Sequence, residues 1–160
     1  MESIEHGEQL VLIHDPDRCT GCMTCMMACA YKHYHTLDLD KAFRLILEMN
    51  EGFFVASYCV HCDYPACVAA CPTGAMHKDE RSGWVLNNPL LCIGCGNCVY
   101  ACPVSNPRID PFLKISVKCD FCGGDPWCAK FCPSGATRVV TREEARDFFK
   151  KVLPKLGVRL

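Results

Sequence analysis

Residues 92–103 read CIGCGNCVYACP, with thiols at Cys92, Cys95, Cys98 and Cys102 and a proline at Pro103. A C-x2-C-x2-C run lets one tight loop carry three thiolates around three corners of a cubic iron–sulfur cluster. Gly94 and Gly96 lie inside that loop, where a backbone without Cβ takes unusual φ/ψ angles and comes close to an inorganic core. The fourth thiol follows after three residues. If that stretch is helical, it lies about 6 Å further along the axis, from ~1.5 Å of rise per residue. It is then placed to reach a neighbouring cluster, as this spacing does in two-cluster proteins. Pro103 ends the helical turn and fixes the exit of the chain.

The same pattern recurs outward in both directions. Residues 19–30 read CTGCMTCMMACA (Cys19, Cys22, Cys25, Cys29) and repeat the short spacing. Residues 59–75, CVHCDYPACVAACPTGA, lengthen the middle gap to four residues (Cys59, Cys62, Cys67, Cys71). Residues 118–133, KCDFCGGDPWCAKFCP, lengthen it to five (Cys119, Cys122, Cys128, Cys132). The order short, long, short, long is an internal repeat and points to a doubled two-group ancestor. Pro72 and Pro133 follow the last thiol of the long groups as Pro103 does, whereas the first group has Ala30 there, so the segment through Tyr34 is expected to continue as helix.

The chain has 160 residues, 16 of them Cys, and all sixteen fall into these groups of four. With hydrophobic residues at 50% and charged residues at 22%, it is one domain or two small ones able to bury a core. Cysteine at this density marks a disulfide scaffold in short secreted chains. The opening residues carry no basic n-region, apolar h-region or twin arginine, so the expectation is a cytoplasmic, reducing setting and metal rather than disulfides. No apolar run reaches the ~18 residues of a membrane span, and a net charge of −1 offers nucleic acid no electrostatic footprint. Charge is uneven: Glu2, Glu5, Glu8, Asp15 and Asp17 precede any base, while residues 138–160 carry seven bases and three acids.

Zinc is the competing occupant, because the two long groups also read as separated pairs of structural zinc ligands; three iron clusters and one zinc is the mixed case. A catalytic iron needs an open position, typically a three-thiol group. Sixteen thiols divide by four, so the clusters are saturated and suited to carrying electrons. Walker loops, dinucleotide fingerprints and nucleophile arrangements are lacking, and catalysis by this chain alone is not expected.

Short strands are predicted at Leu10–Ile13, Phe43–Glu48, Phe53–Tyr58, Trp84–Leu86, Leu113–Val117 and Thr137–Thr141, with Asn50-Glu51-Gly52 as a hairpin turn. Thr141 and Glu144 form a possible capping box. Ala145, Phe148, Phe149, Val152 and Leu156 then recur at helical spacing until Pro154 and Gly157 disturb the pattern. That tail packs on the body of the protein, or docks a partner through its basic face of Arg142, Arg146, Lys150 and Lys155. Lys118 and Arg108 are candidates to raise a cluster's potential, against a reading as solvated surface charges. His61 is the one histidine between two ligands, while His33, His35 and His77 read as surface or packing residues. Trp127 and Tyr64 read as hydrophobic shields beside a thiol.

Residues 59–75, 92–103 and 118–122 together resemble the four-cluster ferredoxin-type subunits of tungsten or molybdenum pterin oxidoreductases, over roughly residues 10–141. Residues 122–128, CGGDPWC, and the compact length are most similar to the small subunits of tungsten aldehyde oxidoreductases and class II benzoyl-coenzyme A reductases; the dimethyl sulfoxide reductase type is usually longer. Val104, Ser105, Asn106 and Pro107 depart from the aromatic residue and glycine many relatives carry there.

The resemblance implies an α+β fold of two nested ferredoxin-like units of the bacterial dicluster type, with short strands and helices around iron–sulfur clusters. Residues 1–18 form an N-terminal strand segment, 19–58 with 103–141 the outer unit, 59–102 the inner unit and 142–160 a helical tail. It implies four [4Fe-4S] clusters held by Cys19, Cys22, Cys25 with Cys132; Cys119, Cys122, Cys128 with Cys29; Cys59, Cys62, Cys67 with Cys102; and Cys92, Cys95, Cys98 with Cys71. Saturated in this way, the holoprotein carries a net charge near −9, at about −2 for each oxidised site. The implied role is a non-catalytic relay in a hetero-oligomer, between a tungsten or molybdenum pterin subunit and a ferredoxin or flavoprotein. A free-standing polyferredoxin shuttle and a zinc-stabilised interaction module are the alternatives.

Overall fold

Every strand is too short to stand alone, and each meets one antiparallel partner. The computed structural model describes residues 9–156; Glu2, Glu5 and Glu8 of the N-terminal segment and Gly157 of the tail lie outside them. Strand β1 (Leu10–His14) pairs with β8 (Thr137–Thr141), β2 (Leu45–Asn50) with β3 (Phe53–Ser57), β4 (Met76–Lys78) with β5 (Val85–Asn87), and β6 (Arg108–Ile109) with β7 (Ser116–Val117). Registers run Leu10 opposite Thr141 and Met76 opposite Asn87. The β2–β3 hairpin turns at Gly52, φ 74°, with a register shift between Glu48 and Asn50.

Four helices follow the thiol groups. Helix α1 spans Thr24–Tyr34, whereas α2 (Ala66–Ala69), α3 (Asn97–Ala101) and α4 (Trp127–Lys130) stop after about one turn. The difference follows from proline: the three short helices lie just ahead of Pro72, Pro103 and Pro133, while Ala30 lets α1 run on to His35 in the left-handed region. Helix α1 packs on α4 beside the β1–β8 pair, and α2 packs on α3 beside β4–β5. This is the expected α+β architecture of two ferredoxin-like units, one nested inside the other along the chain.

Thiols make up a substantial part of the core. Cys25, Cys29, Cys59, Cys119 and Cys128 are buried with Leu12, Met26, Ile46, Tyr58 and Phe121, and a second cluster joins Cys67 and Cys98 to Met76 and Val85. A third, aliphatic cluster of Val11, Ile13 and Ala145, flanked by Phe148 and Phe149, seats α5 (Arg142–Val152) on β1. The Thr141 hydroxyl accepts the Glu144 N–H at 3.2 Å, and the Glu144 carboxylate accepts the Thr141 N–H at 3.0 Å, completing the capping box. Arg142 donates to the carbonyls of Val60 and His61, and Arg146 pairs with Asp63 at 3.0 Å, so basic residues of the tail bind the loop of the second thiol group. The uneven charge resolves into contacts: Arg138 meets Asp15 at 3.7 Å and Lys155 meets Asp17.

Two of the predicted strands change most. Strand Phe43–Glu48 starts later, at Leu45. Leu113–Val117 shrinks to two residues because the Asp110 carboxylate holds the N–H groups of Phe112 and Leu113 in a turn and Lys114 adopts φ 57°. Strands β4 and β6 have three and two residues, too few to show a period.

Candidate metal centres

One backbone device is common to all four loops. The residue just ahead of the second thiol lies in the left-handed region each time: Gly21 at φ 68°, His61 at 47°, Gly94 at 68° and Phe121 at 59°. At Gly94 a Cβ would fall 2.1 Å from the Lys114 carbonyl oxygen, and at Gly21 2.4 Å from the Phe54 ring. The long groups use His61 and Phe121 there, and both are wholly buried, edge to face with ring centres 6.0 Å apart. Left-handed geometry in a non-glycine residue costs roughly 1–3 kcal/mol; burial of these two rings against each other offsets it.

The loops bring thiols from distant groups together. One small cavity is lined by Cys71, Cys92, Cys95 and Cys98, and another by Cys59, Cys62, Cys67 and Cys102. The charge neighbours of Cys25 include Cys19, Cys132 and Cys128, and those of Cys29 include Cys128, Cys122 and Arg44. Cys119 lies near Cys128 and near Cys59. All sixteen cysteines are free thiols.

Backbone N–H groups point at the sulfurs: Phe43 at Cys29 (3.2 Å), His61 at Cys59 (3.4 Å), Met76 at Cys71 (3.3 Å), Ser116 at Cys92 (3.2 Å) and Thr137 at Cys132 (3.4 Å). The Cys71 and Cys132 loops repeat each other, with a hydroxyl from Thr73 or Ser134 at 3.7 Å and an N–H five residues on. Burial disfavours both thiolates there, but these donors outweigh it and lower the two thiols below their usual value. The deep thiols go the other way: burial pushes Cys29 up to about 12, Cys67 to about 11 and Cys122 to about 11. A buried thiolate therefore needs a metal to hold it. Soft sulfur donors in fours with N–H groups aimed at them fit an iron–sulfur cluster.

Matches to family models cover most of the thiol-bearing chain: a 4Fe-4S dicluster domain at residues 50–142 and a 4Fe-4S binding domain at residues 11–34. The chain belongs to the 4Fe-4S dicluster family. Among relatives, the aliphatic sulfonate oxidoreductase polyferredoxin-like subunit of Pyrococcus furiosus is 39% identical over 143 residues, 87% of this chain and 82% of that protein. The B subunit of the anaerobic dimethyl sulfoxide reductase of Haemophilus influenzae is 37% identical over 87% of this chain and 77% of its own length. Among solved structures, the active site complex BamBC of benzoyl coenzyme A reductase has a TM-score of 0.46 and 19% identity, covering 91% of this chain and 89% of that one. Iron–sulfur binding is thereby assigned to this dicluster protein, and among its described residues no helix is long and apolar enough to cross a membrane.

Other residues singled out in the sequence find definite places. Lys118 is no surface charge: it is 4% exposed, lines the cavity of Cys59 and Cys67, and its Nζ donates to the carbonyls of Val85 and Cys119. Arg108 lies over the Phe43 ring at 5.9 Å. His61, between two cysteines of its group, is a buried side chain whose Nδ1 accepts the Val85 N–H at 3.0 Å, and burial with the charges of Lys118 and Arg142 holds it down to about 3. Trp127 packs on Tyr31, but Tyr64 is 96% exposed and shields nothing, since the loop it sits on faces outward. His33 comes closer to the chemistry than a packing residue, with Nε2 3.4 Å from Asp120 and 3.8 Å from Cys122 Sγ. Its position four residues after Cys29 on α1 is the signal for that. Asn106 holds two segments together, donating to the Phe43 carbonyl at 2.7 Å and accepting the Cys119 N–H at 3.1 Å. Arg44 is buried as well, and nothing in the strand-like run around it signals that.

Proposed function

We propose that this protein is a non-catalytic electron-transfer subunit with four [4Fe-4S] clusters in a row. Cys19, Cys22, Cys25 and Cys132 hold the first, Cys119, Cys122, Cys128 and Cys29 the second, Cys59, Cys62, Cys67 and Cys102 the third, and Cys92, Cys95, Cys98 and Cys71 the fourth. Each cluster, when bound, takes up and releases a single electron. The carrying observation is where the exposed thiols fall. Only Cys22 and Cys95 are exposed, and they belong to the first and fourth sets; the middle sets have none. Neighbouring sets also lie near one another in that order: Cys25 and Cys128 are charge neighbours, as are Cys119 and Cys59, and Cys67 shares a core with Cys98. A chain built this way insulates its middle and opens its ends to partners.

The catalytic partner in this reading is a tungsten or molybdenum pterin enzyme, and a ferredoxin or flavoprotein meets the other end. Residues 122–128 favour the aldehyde oxidoreductase and benzoyl-coenzyme A reductase type. The similarity to the B subunit of a dimethyl sulfoxide reductase supports the dimethyl sulfoxide reductase type as the second reading. A reducing cytoplasmic setting goes with sixteen unpaired thiols. Iron and zinc counting on anaerobically purified protein tests the cofactor content: about sixteen Fe per chain is expected for four cubes. About twelve Fe with one Zn would replace one cluster, and an iron-free folded protein would end the reading. Anaerobic co-purification with a large pterin-containing subunit is expected; recovery of the chain alone would favour the free shuttle.

A further inference from the structure

Arg44 stands just ahead of β2 and is 4% exposed. Its Nη2 donates to Thr137 Oγ1 at 3.0 Å, and its guanidinium carbon lies 5.4 Å from the centre of the Tyr58 ring. Nε and Nη1 are buried with no acceptor, and among the described residues no carboxylate comes within ion-pair distance. A guanidinium stays charged in proteins. Burying such an ion is costly unless an opposite charge and good hydrogen bonds compensate, so two idle donors in the interior call for an anion.

The candidates beside it are sulfur ligands. Cys128, Cys25 and Tyr58 are neighbours that favour the Arg44 charge, and Cys128 also lies near enough to interact with the guanidinium as an acceptor, though Nε and Nη1 still have no hydrogen-bond partner. Thr137, which accepts from Nη2, gives its own N–H to Cys132 Sγ at 3.4 Å. Cys25 and Cys132 belong to the first proposed set and Cys128 to the second, so the guanidinium sits at their junction. Lys118, the other buried cation near the thiols, already spends its donors on two carbonyls.

We infer that Arg44 is a positioning residue for electron transfer, a fixed positive charge between the first and second ligand sets that raises the reduction potentials of both. The inference rests on the ligand sets proposed above. An added electron makes a saturated site one charge more negative, and a fixed cation nearby in a poorly polarisable interior favours that state.

The test is a potentiometric titration of the anaerobically purified full chain, followed by electron paramagnetic resonance, with iron content measured on the same samples. Arg44→Met and Arg44→Gln remove the charge, and Arg44→Lys keeps it. In the neutral variants, two of the four transitions are expected to shift downward at least tenfold in the oxidised-to-reduced ratio, which is about 59 mV for one electron. Arg44→Lys is expected to stay within about threefold of the wild type. Neutral variants that load iron and titrate like the wild type would overturn the inference, as would an equal shift of all four transitions. If the neutral variants do not load iron, Arg44→Lys decides: normal loading supports a need for charge, and failure alongside them shows that shape alone matters. A wild type without its full iron content would instead count against the ligand sets.

Discussion

Single side chains carry the chemistry, and the glycines show how locally that is written. Gly94 lies at positive φ with a carbonyl where its Cβ would be, while Gly52 lies at positive φ with open space around it. Gly52→Ala is expected to cost about 1 kcal/mol from the left-handed geometry alone. Gly94→Ala is expected to cost more than the ~1–3 kcal/mol of strain, because the Lys114 backbone must move, and to reduce bound iron by about one cluster; equal midpoints in a thermal melt would contradict this. Burial and the Arg44 charge hold His14 down to about 4, with its ring nitrogens 3.1 Å from Thr137 Oγ1 and 3.3 Å from the Phe54 carbonyl. Above pH ~6.5 neither folded nor unfolded chain protonates this ring. Below it the unfolded chain gains a proton that the folded one refuses, so stability falls by up to about 1.4 kcal/mol per pH unit until about pH 4. His14→Gln should flatten the acid side of a plot of melting temperature against pH; parallel curves would assign the acid loss elsewhere. The glycines were readable from spacing. Arg44 and His14 were not, because their partner Thr137 is some ninety and more than one hundred and twenty residues away.

Helices and hairpins were largely legible, because their starts and stops are made by neighbours in the chain. Ala30 in place of proline predicts the long α1, and Thr141 with Glu144 predicts the start of α5. Thr141→Ala removes the hydroxyl that caps the Glu144 N–H and should destabilise the protein by about 1 kcal/mol. Because α5 covers Val11 and Ile13 and holds the loop after Cys59 through Arg142, faster amide exchange is expected in β1 as well as in α5. Exchange changed in α5 alone would mean that the helix is not coupled to the strand. Strands β4, β6 and β7 escaped clear definition in the sequence. Two or three residues carry no period, and they pair only because the flanking thiol loops bring them side by side.

For the molecule as a whole, the thiols occupy positions that aliphatic side chains fill in most small proteins. With Cys25, Cys29, Cys59, Cys119 and Cys128 in the main core, holding the fold and holding metal are one task. Anaerobic removal of iron with a strong chelator is therefore expected to abolish the cooperative melt and the near-ultraviolet circular dichroism, and restoring iron and sulfide to recover both. An iron-free chain that still melts sharply near the original temperature would show that the polypeptide packs without its clusters.

The four groups of four thiols, the tight loops at Gly21 and Gly94, the proline-limited helices and the capped tail were present in the linear order of residues, since each depends on contacts a few positions apart. Folding in space brought Cys71 beside the third group and Cys102 beside the second, left the exposed thiols in the first and third groups, and buried Arg44 and Lys118 rather than leaving them in water. Those features arise from pairings such as Leu10 with Thr141. The energy of a buried charge depends on everything that encloses it, and a string of residues does not contain that enclosure.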